Sequence, residues 1–321
     1  MGIGVFCGLL AGALWGTVFL VPELLSAFTP LQLAAGRYLA YGAMALVLLA
    51  PRLRPLLNRL TRADLAALAR HALAGNLIYY ILLATGVQYA GVAPTSLIVG
   101  LVPLVVTLLG RHDHGAVPLR RMGWPLLLVV GGIACINIDT FLHAPPTATP
   151  SGIAFGVLCA TGALLCWAWY AMDNARYLKR NPHFGSAEWS GLYGLATGVL
   201  SLALVPFAFF PDPATSAATT IAAPVVRDWT LFWICNGLLA LGASVIGNHF
   251  WNVASRRVPV TLTGQLILFE TLFALVYGFI HRGFGPRALE LTAIVLLVLG
   301  VTWSVRLHAN PAPGDGAVLT P

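Results

Sequence analysis

Charge is what this chain has least of. Only 9% of its residues are Asp, Glu, Lys or Arg, where a soluble domain carries about 25%, so it cannot cover a water-facing surface. With 58% hydrophobic residues it reads as an all-α integral membrane protein. A crossing helix spends about 20 apolar residues, so the length allows roughly ten crossings with short loops. No room is left for a globular catalytic head, which excludes a membrane-tethered enzyme of that kind. Catalytic motifs are missing as well. No H-E-x-x-H, G-x-S-x-G or paired-aspartate pattern occurs, which argues against the remaining enzyme reading, an intramembrane one. Rings of like residues or a filter-like loop, the marks of a channel, are also absent.

Metal-binding spacing is absent too. Cys7, Cys135, Cys159, Cys166 and Cys235 fall in apolar runs without a C-x-x-C pair, and they read as small packing residues. His112 and His114 flank Asp113 in a short polar loop, which without further ligands is a solvated loop. Neither metal nor cofactor is expected. The first twenty residues hold no Lys or Arg, so they lack the basic start of a cleaved signal and are expected to stay as the first helix.

Apolar runs are what the chain has in plenty. They predict spans near 3–22, 30–50, 68–89, 93–110, 123–139, 152–172, 186–209, 230–252, 259–280 and 287–307. The segments between them alternate in charge. Arg52, Arg54, Arg59, Arg62, Arg70, Arg111, Arg120, Arg121, Arg176, Lys179, Arg180, Arg256, Arg257 and Arg306 fall on one side; only Arg227, Arg282 and Arg287 fall on the other. By the positive-inside rule the first side is cytoplasmic, which puts both termini inside. Orientation thus accounts for the net charge of +7, and no nucleic-acid partner is expected. The partners are the lipid bilayer and a small-molecule substrate, and the oligomeric state is left open.

PTSLIVGLVPLVVTLLG after Ala93 is similar to PVTLTGQLILFETLFALVYG after Val258, and GLLAGALWG near the start to GVLCATGALLCWAW from Gly156. These likenesses suggest two five-helix halves, 1–145 and 146–308, with a tail over 309–321. An odd number of crossings per half inverts the second relative to the first, a plan shared by secondary transporters with a midplane site.

Several span residues are candidates for that site. Gly8, Gly12 and Gly16 form a stripe suited to close helix packing. Ser96, Gly100, Pro103 and Thr107 would share one face of the fourth span. Asn76, Tyr79 and Tyr80 lie inside the third span, Trp15 in the first, and Trp167, Trp169 and Tyr170 in the sixth, where an interfacial belt is the alternative. Asn248, His249, Trp251 and Asn252 cluster in the eighth. Three ionisable groups, Arg37, His249 and Glu270, lie deep in spans, where a charge costs about 2.5–3.5 kcal/mol and calls for a partner. Glu270 reads either as a proton-accepting or amino-group-binding carboxylate or as a structural acid. The fifth and tenth spans are almost wholly apolar and read as outer packing helices.

The two-by-five plan, Arg37 and the Pro103-containing fourth span resemble the drug/metabolite transporter superfamily (EamA-like). Within it, GNHFWNVASRRVPVTLTGQLILFETLFALVY and NLIYYILLATGVQYAGV are similar to the bacterial aromatic amino acid exporters. The resemblance implies an inner-membrane exporter of aromatic and related amino acids working by alternating access; a broader drug or metabolite exporter is the alternative. It also implies a central cavity to which Trp15, Tyr79, Tyr80, Pro103, Trp167, His249 and Trp251 contribute; from the residues themselves Asn76 joins these candidates, with Arg37 and Glu270 as coupling or structural charges. One position departs: Glu270 stands where the equivalent half-helix of many relatives carries a proline.

Overall fold

The computed structural model describes residues 2–109, 117–142, 149–210, 227–283 and 285–309. The His112–His114 loop, the boundary between the expected halves at 145/146 and the tail from 310 onward lie outside the described residues. Among the described residues every regular element is helical. Five helices, Gly2–Leu24, Pro30–Arg59, Arg62–Ala90, Pro150–Arg180 and Trp229–Arg257, are long and apolar enough to cross a membrane.

Four of these overrun the expected spans at the arginine-rich end. The segment expected as a basic loop over 52–70 is largely helical, because Thr61 and Asp64 form a capping box that starts α4, Arg62–Ala72. The expected third and sixth spans therefore reach from Arg62 and to Arg180. Their extra turns carry polar residues outside the expected spans, and one of these, Asp64, is buried.

For the rest, α1 is Gly2–Leu24, α2 Pro30–Leu49 and α3 Leu53–Arg59. A π-helical turn, Leu73–Leu77, joins α4 to α5, Ile78–Ala90. The expected fourth span is broken at Gly100–Leu101 into α6, Val92–Val99, and α7, Val102–Leu109. Ser96, Gly100 and Pro103, all buried, are therefore divided between the two helices and the turn that joins them. Pro103 is the second residue of α7, a position where its missing N–H costs nothing. Next come α8, Leu119–Leu142, α9, Pro150–Arg180, α10, Ser186–Leu202, and α11, Val205–Phe209. A second π-helical turn, Ala240–Gly247, joins α12, Trp229–Leu239, to α13, Asn248–Arg257. The break recurs at Ile267, between α14, Val260–Leu266, and α15, Leu268–Arg282. Here no proline marks it, and Glu270 stands in the first turn after it, much as Pro103 does after the first break. The last helix is α16, Ala288–Ala309.

The widest helix contacts pair α1 with α15, α2 with α10, α5 with α9, and α8 with α16. Glycine makes the first two possible. A Cβ on Gly12 would lie 2.6 Å from that of Phe269, and one on Gly42 only 2.4 Å from the Cα of Gly198. Backbones this close gain dispersion contacts that a membrane interior does not otherwise reward. In the pair α8–α16, Val129, Ile133, Ala293 and Leu297 form a separate apolar cluster with Leu268 and Leu275 of α15. Leu127, Val130, Leu291 and Leu299 stay exposed, as expected of an outer, lipid-facing layer.

Candidate functional site

The two π-helical turns build the middle of the molecule. Each extra residue widens the helix and lets its groups bond outward instead of along the axis. In the first, Gly75 makes room for the Tyr170 ring, and Asn76 donates from Nδ2 to Oγ1 of Thr197 at 2.8 Å. In the second, the Ala243 carbonyl accepts Nε1–H of Trp15 at 2.8 Å, and Ser244 Oγ accepts Nε–H of Arg37 at 3.2 Å. The missing side chain at Gly247 admits the indole, since a Cβ there would meet Trp15 Nε1 at 2.8 Å.

Between the turns lies an aromatic cage. Tyr79 stacks on Trp167, centroids 5.0 Å apart at 22°, and Trp15 meets Trp167 edge-on at 5.0 Å and 77°. Trp251 is 5.1 Å from Trp15 and nearly parallel to Trp167 at 6.4 Å. Aromatic pairs in these geometries are each worth about 0.5–1.5 kcal/mol beyond their buried area. The rings come from four separate helical segments, so a movement of any segment reshapes the cage.

Arg37 and Glu270 enter the same space. The Arg37 guanidinium lies over the Tyr80 and Tyr38 rings, 4.6 and 5.1 Å from their centroids, a cation–π arrangement that holds a buried charge. Glu270 accepts a long hydrogen bond from Tyr79 Oη at 3.4 Å. Arg37 is 5% and Glu270 2% exposed. The cavity they share with Trp15, Tyr79, Trp167 and Asn248 has a volume of about 10 Å³, about enough for one water.

Polar and aromatic contacts pack on either side of the cavity. Toward the arginine-rich end, Asn174 Nδ2 donates to Asn252 Oδ1 at 3.0 Å and Asn252 Nδ2 to Ser190 Oγ at 2.7 Å, while Trp189 Nε1 donates to Asn174 Oδ1 at 3.1 Å. Further out, Asp173 binds Arg70 Nε at 2.9 Å and His71 Nε2 at 2.7 Å, and Asp64 accepts from Tyr177. Toward the other end, Gln88 Nε2 donates to the Phe28 carbonyl at 2.8 Å, and Phe28 packs against Trp229 and Phe232.

The structure brings together Trp15, Asn76, Tyr79, Trp167, Arg37 and Glu270 around one cavity, with Trp251 stacked beside it. Tyr80 is set back and holds Arg37. Pro103 is buried in α7 but is not among the residues lining the cavity. His249 lies apart from this cavity. It lines a separate pocket of about 350 Å³ with Tyr41, Arg52 and Glu188. Successive helical residues are turned about 100° apart, so with Asn248 and Asn252 inward its neighbour faces elsewhere. Trp169 is 42% exposed while Trp167 and Tyr170 are buried. Sequence reasoning missed Tyr38, Tyr41 and Ser244. The four-residue spacing of Ser244 with Asn248 and Asn252, and of Arg37 with Tyr41, was the available signal.

Residues 2–138 match the EamA-like transporter family. Over 309 residues, 94% of this chain and 95% of the other, the chain is 33% identical to the "Inner membrane protein YtfF" of Escherichia coli (strain K12). A solved structure titled "Crystal structure of protein" superposes with a TM-score of 0.68 at 21% identity, covering 96% of this chain and 99% of that one; at that identity it speaks for the fold.

Proposed function

Because the chain belongs to the EamA-like transporter family and is a multi-pass membrane transporter, we propose that it exports aromatic and related amino acids across the inner membrane by alternating access. The observation that carries this reading is the cage of Trp15, Tyr79, Trp167 and Trp251 beside a small cavity lined by buried side chains. Aromatic walls suit a planar ring, and a cavity of about 10 Å³ requires helices to part before an amino acid enters.

The ten-span plan with an inverted second half supplies the movement. In its support, exchanging the halves maps the pair α1–α15 onto the observed contact of α9 with α6 and α7, and α5–α9 onto the contact of α1 with α13. The pairs α2–α10 and α8–α16 map onto themselves. The two π-helical turns and the two helix breaks also exchange. The charge asymmetry of the connecting segments supports cytoplasmic termini, so the Asn174–Asn252–Ser190 network closes the cytoplasmic side and parts when cargo loads.

Counterflow in proteoliposomes tests the cargo. Vesicles loaded with unlabelled L-phenylalanine should accumulate radiolabelled L-phenylalanine, L-tyrosine and L-tryptophan in preference to L-alanine and to a lipophilic cationic dye. Equal or better exchange of the dye would replace this reading with that of a broad drug or metabolite exporter.

A further inference from the structure

The aromatic cage explains recognition of a ring but leaves Arg37 and Glu270 without a purpose. They are a basic and an acidic side chain on the wall of one cavity, both nearly fully buried, yet neither takes part in an ion pair among the described residues. Arg37 Nη1 and Glu270 Oε2 have no hydrogen-bond partner there. Each is held back from the other. Arg37 is fixed through Nε to Ser244 and lies over Tyr80, while Glu270 leans on Tyr79.

A buried charge without a partner is costly, and the cost is removed only by a group of opposite sign with hydrogen-bonding geometry. We propose that Arg37 and Glu270 are the two arms of a zwitterion clamp, Arg37 Nη1 taking the α-carboxylate of the cargo and Glu270 Oε2 its α-ammonium. This deepens the aromatic amino acid reading of the same site and rests on it. The cargo adds no net charge, so the site is balanced before and after loading. An amine or an acid alone satisfies one arm and leaves the other buried and unpaired. The clamp therefore excludes both classes, although the cage accepts their rings. Tyr79, which stacks on Trp167 and reaches Glu270, ties ring recognition to the ammonium arm.

The test is calorimetric titration of the full-length protein in lipid nanodiscs with L-phenylalanine, phenethylamine, 3-phenylpropionate and L-leucine. Phenylalanine should bind about tenfold to a hundredfold tighter than either analogue, the range expected for one charge-assisted contact. Glu270→Gln should weaken phenylalanine by a similar factor while leaving 3-phenylpropionate unchanged or tighter. Arg37→Gln should mirror this, sparing phenethylamine. Glu270→Asp and Arg37→Lys, which keep the charges, should retain part of the preference. The analogue comparison on the unmodified protein decides the matter even if a variant fails to fold. Phenethylamine binding as tightly as phenylalanine overturns the clamp and leaves the cage standing, as does an equal loss for all four ligands in folded Gln variants. Leucine binding as tightly as phenylalanine, with both charges required, overturns the cage and supports the clamp. No binding of any of the four overturns both.

Discussion

The indole N–H of Trp15 donates to the carbonyl oxygen of Ala243, 228 residues along the chain, at 2.8 Å. This bond crosses between the expected halves and ends on a widened helical turn, so the cage and the turn are one mechanical unit. Gly247→Ala should break it, because the new methyl would lie 2.8 Å from the indole nitrogen. Overpacking of this kind costs about 1–3 kcal/mol. Exchange should fall at least tenfold while the protein still purifies as a folded species by gel filtration, and Gly242→Ala, whose methyl meets nothing closer than 3.7 Å, should exchange normally.

The contact of Gly42 with Gly198 predicts a stability effect separate from the site. A methyl on either would sit 2.4 Å from the opposite Cα, so α2 and α10 must move apart. The melting temperature in detergent should drop for Gly42→Ala and for Gly198→Ala, by about 1–3 kcal/mol in free energy. Gly131→Ala, whose methyl would make an ordinary 3.7 Å contact with Leu296, should melt as the unmodified protein does.

Asn252 joins Asn174 to Ser190 at the arginine-rich end. Asn252→Ala removes both bonds and leaves two buried polar groups unpaired, at about 1–3 kcal/mol each. That cost falls on the closed arrangement, so the open one should gain population. In a background without native cysteines, Asn76→Cys should then react faster with a maleimide supplied from the cytoplasmic side. An unchanged rate would show that the network does not close that side.

Orientation has its own test. If the positive-inside rule sets the orientation, a cysteine placed at Arg54 or Arg62 should be unreactive toward an impermeant reagent added outside intact cells, and reactive in inverted vesicles. Labelling from outside would reverse the orientation.

Much of this was legible in the sequence because hydropathy and small-residue spacing are local properties. The membrane class, the glycine stripe of α1 and the outer position of α8 and α16 needed only composition along a helix. What escaped depends on register and on partners far away in the chain. Nothing in LAGNL or ALGASVIG announces a π-helical turn, yet those turns aim Asn76 and Ser244 and free the Ala243 carbonyl for Trp15. The break at Ile267 has no proline to mark it. His249 looked equivalent to Asn248 from sequence proximity, and one residue of helical rotation sends it to another pocket. Asp64 lies in the segment expected as a basic loop, and its partner Tyr177 lies over one hundred residues away.

The central claim is that Tyr79 and Trp167 face the cargo ring, and one ratio measures it. Counterflow of L-phenylalanine and of L-leucine should be compared in the unmodified protein and in Tyr79→Ala and Trp167→Ala at matched expression. Loss of a stacked ring should lower phenylalanine exchange about threefold to tenfold more than leucine exchange, from the worth of an aromatic pair. Equal loss for both amino acids would mean that these rings only pack the helices, contradicting the account.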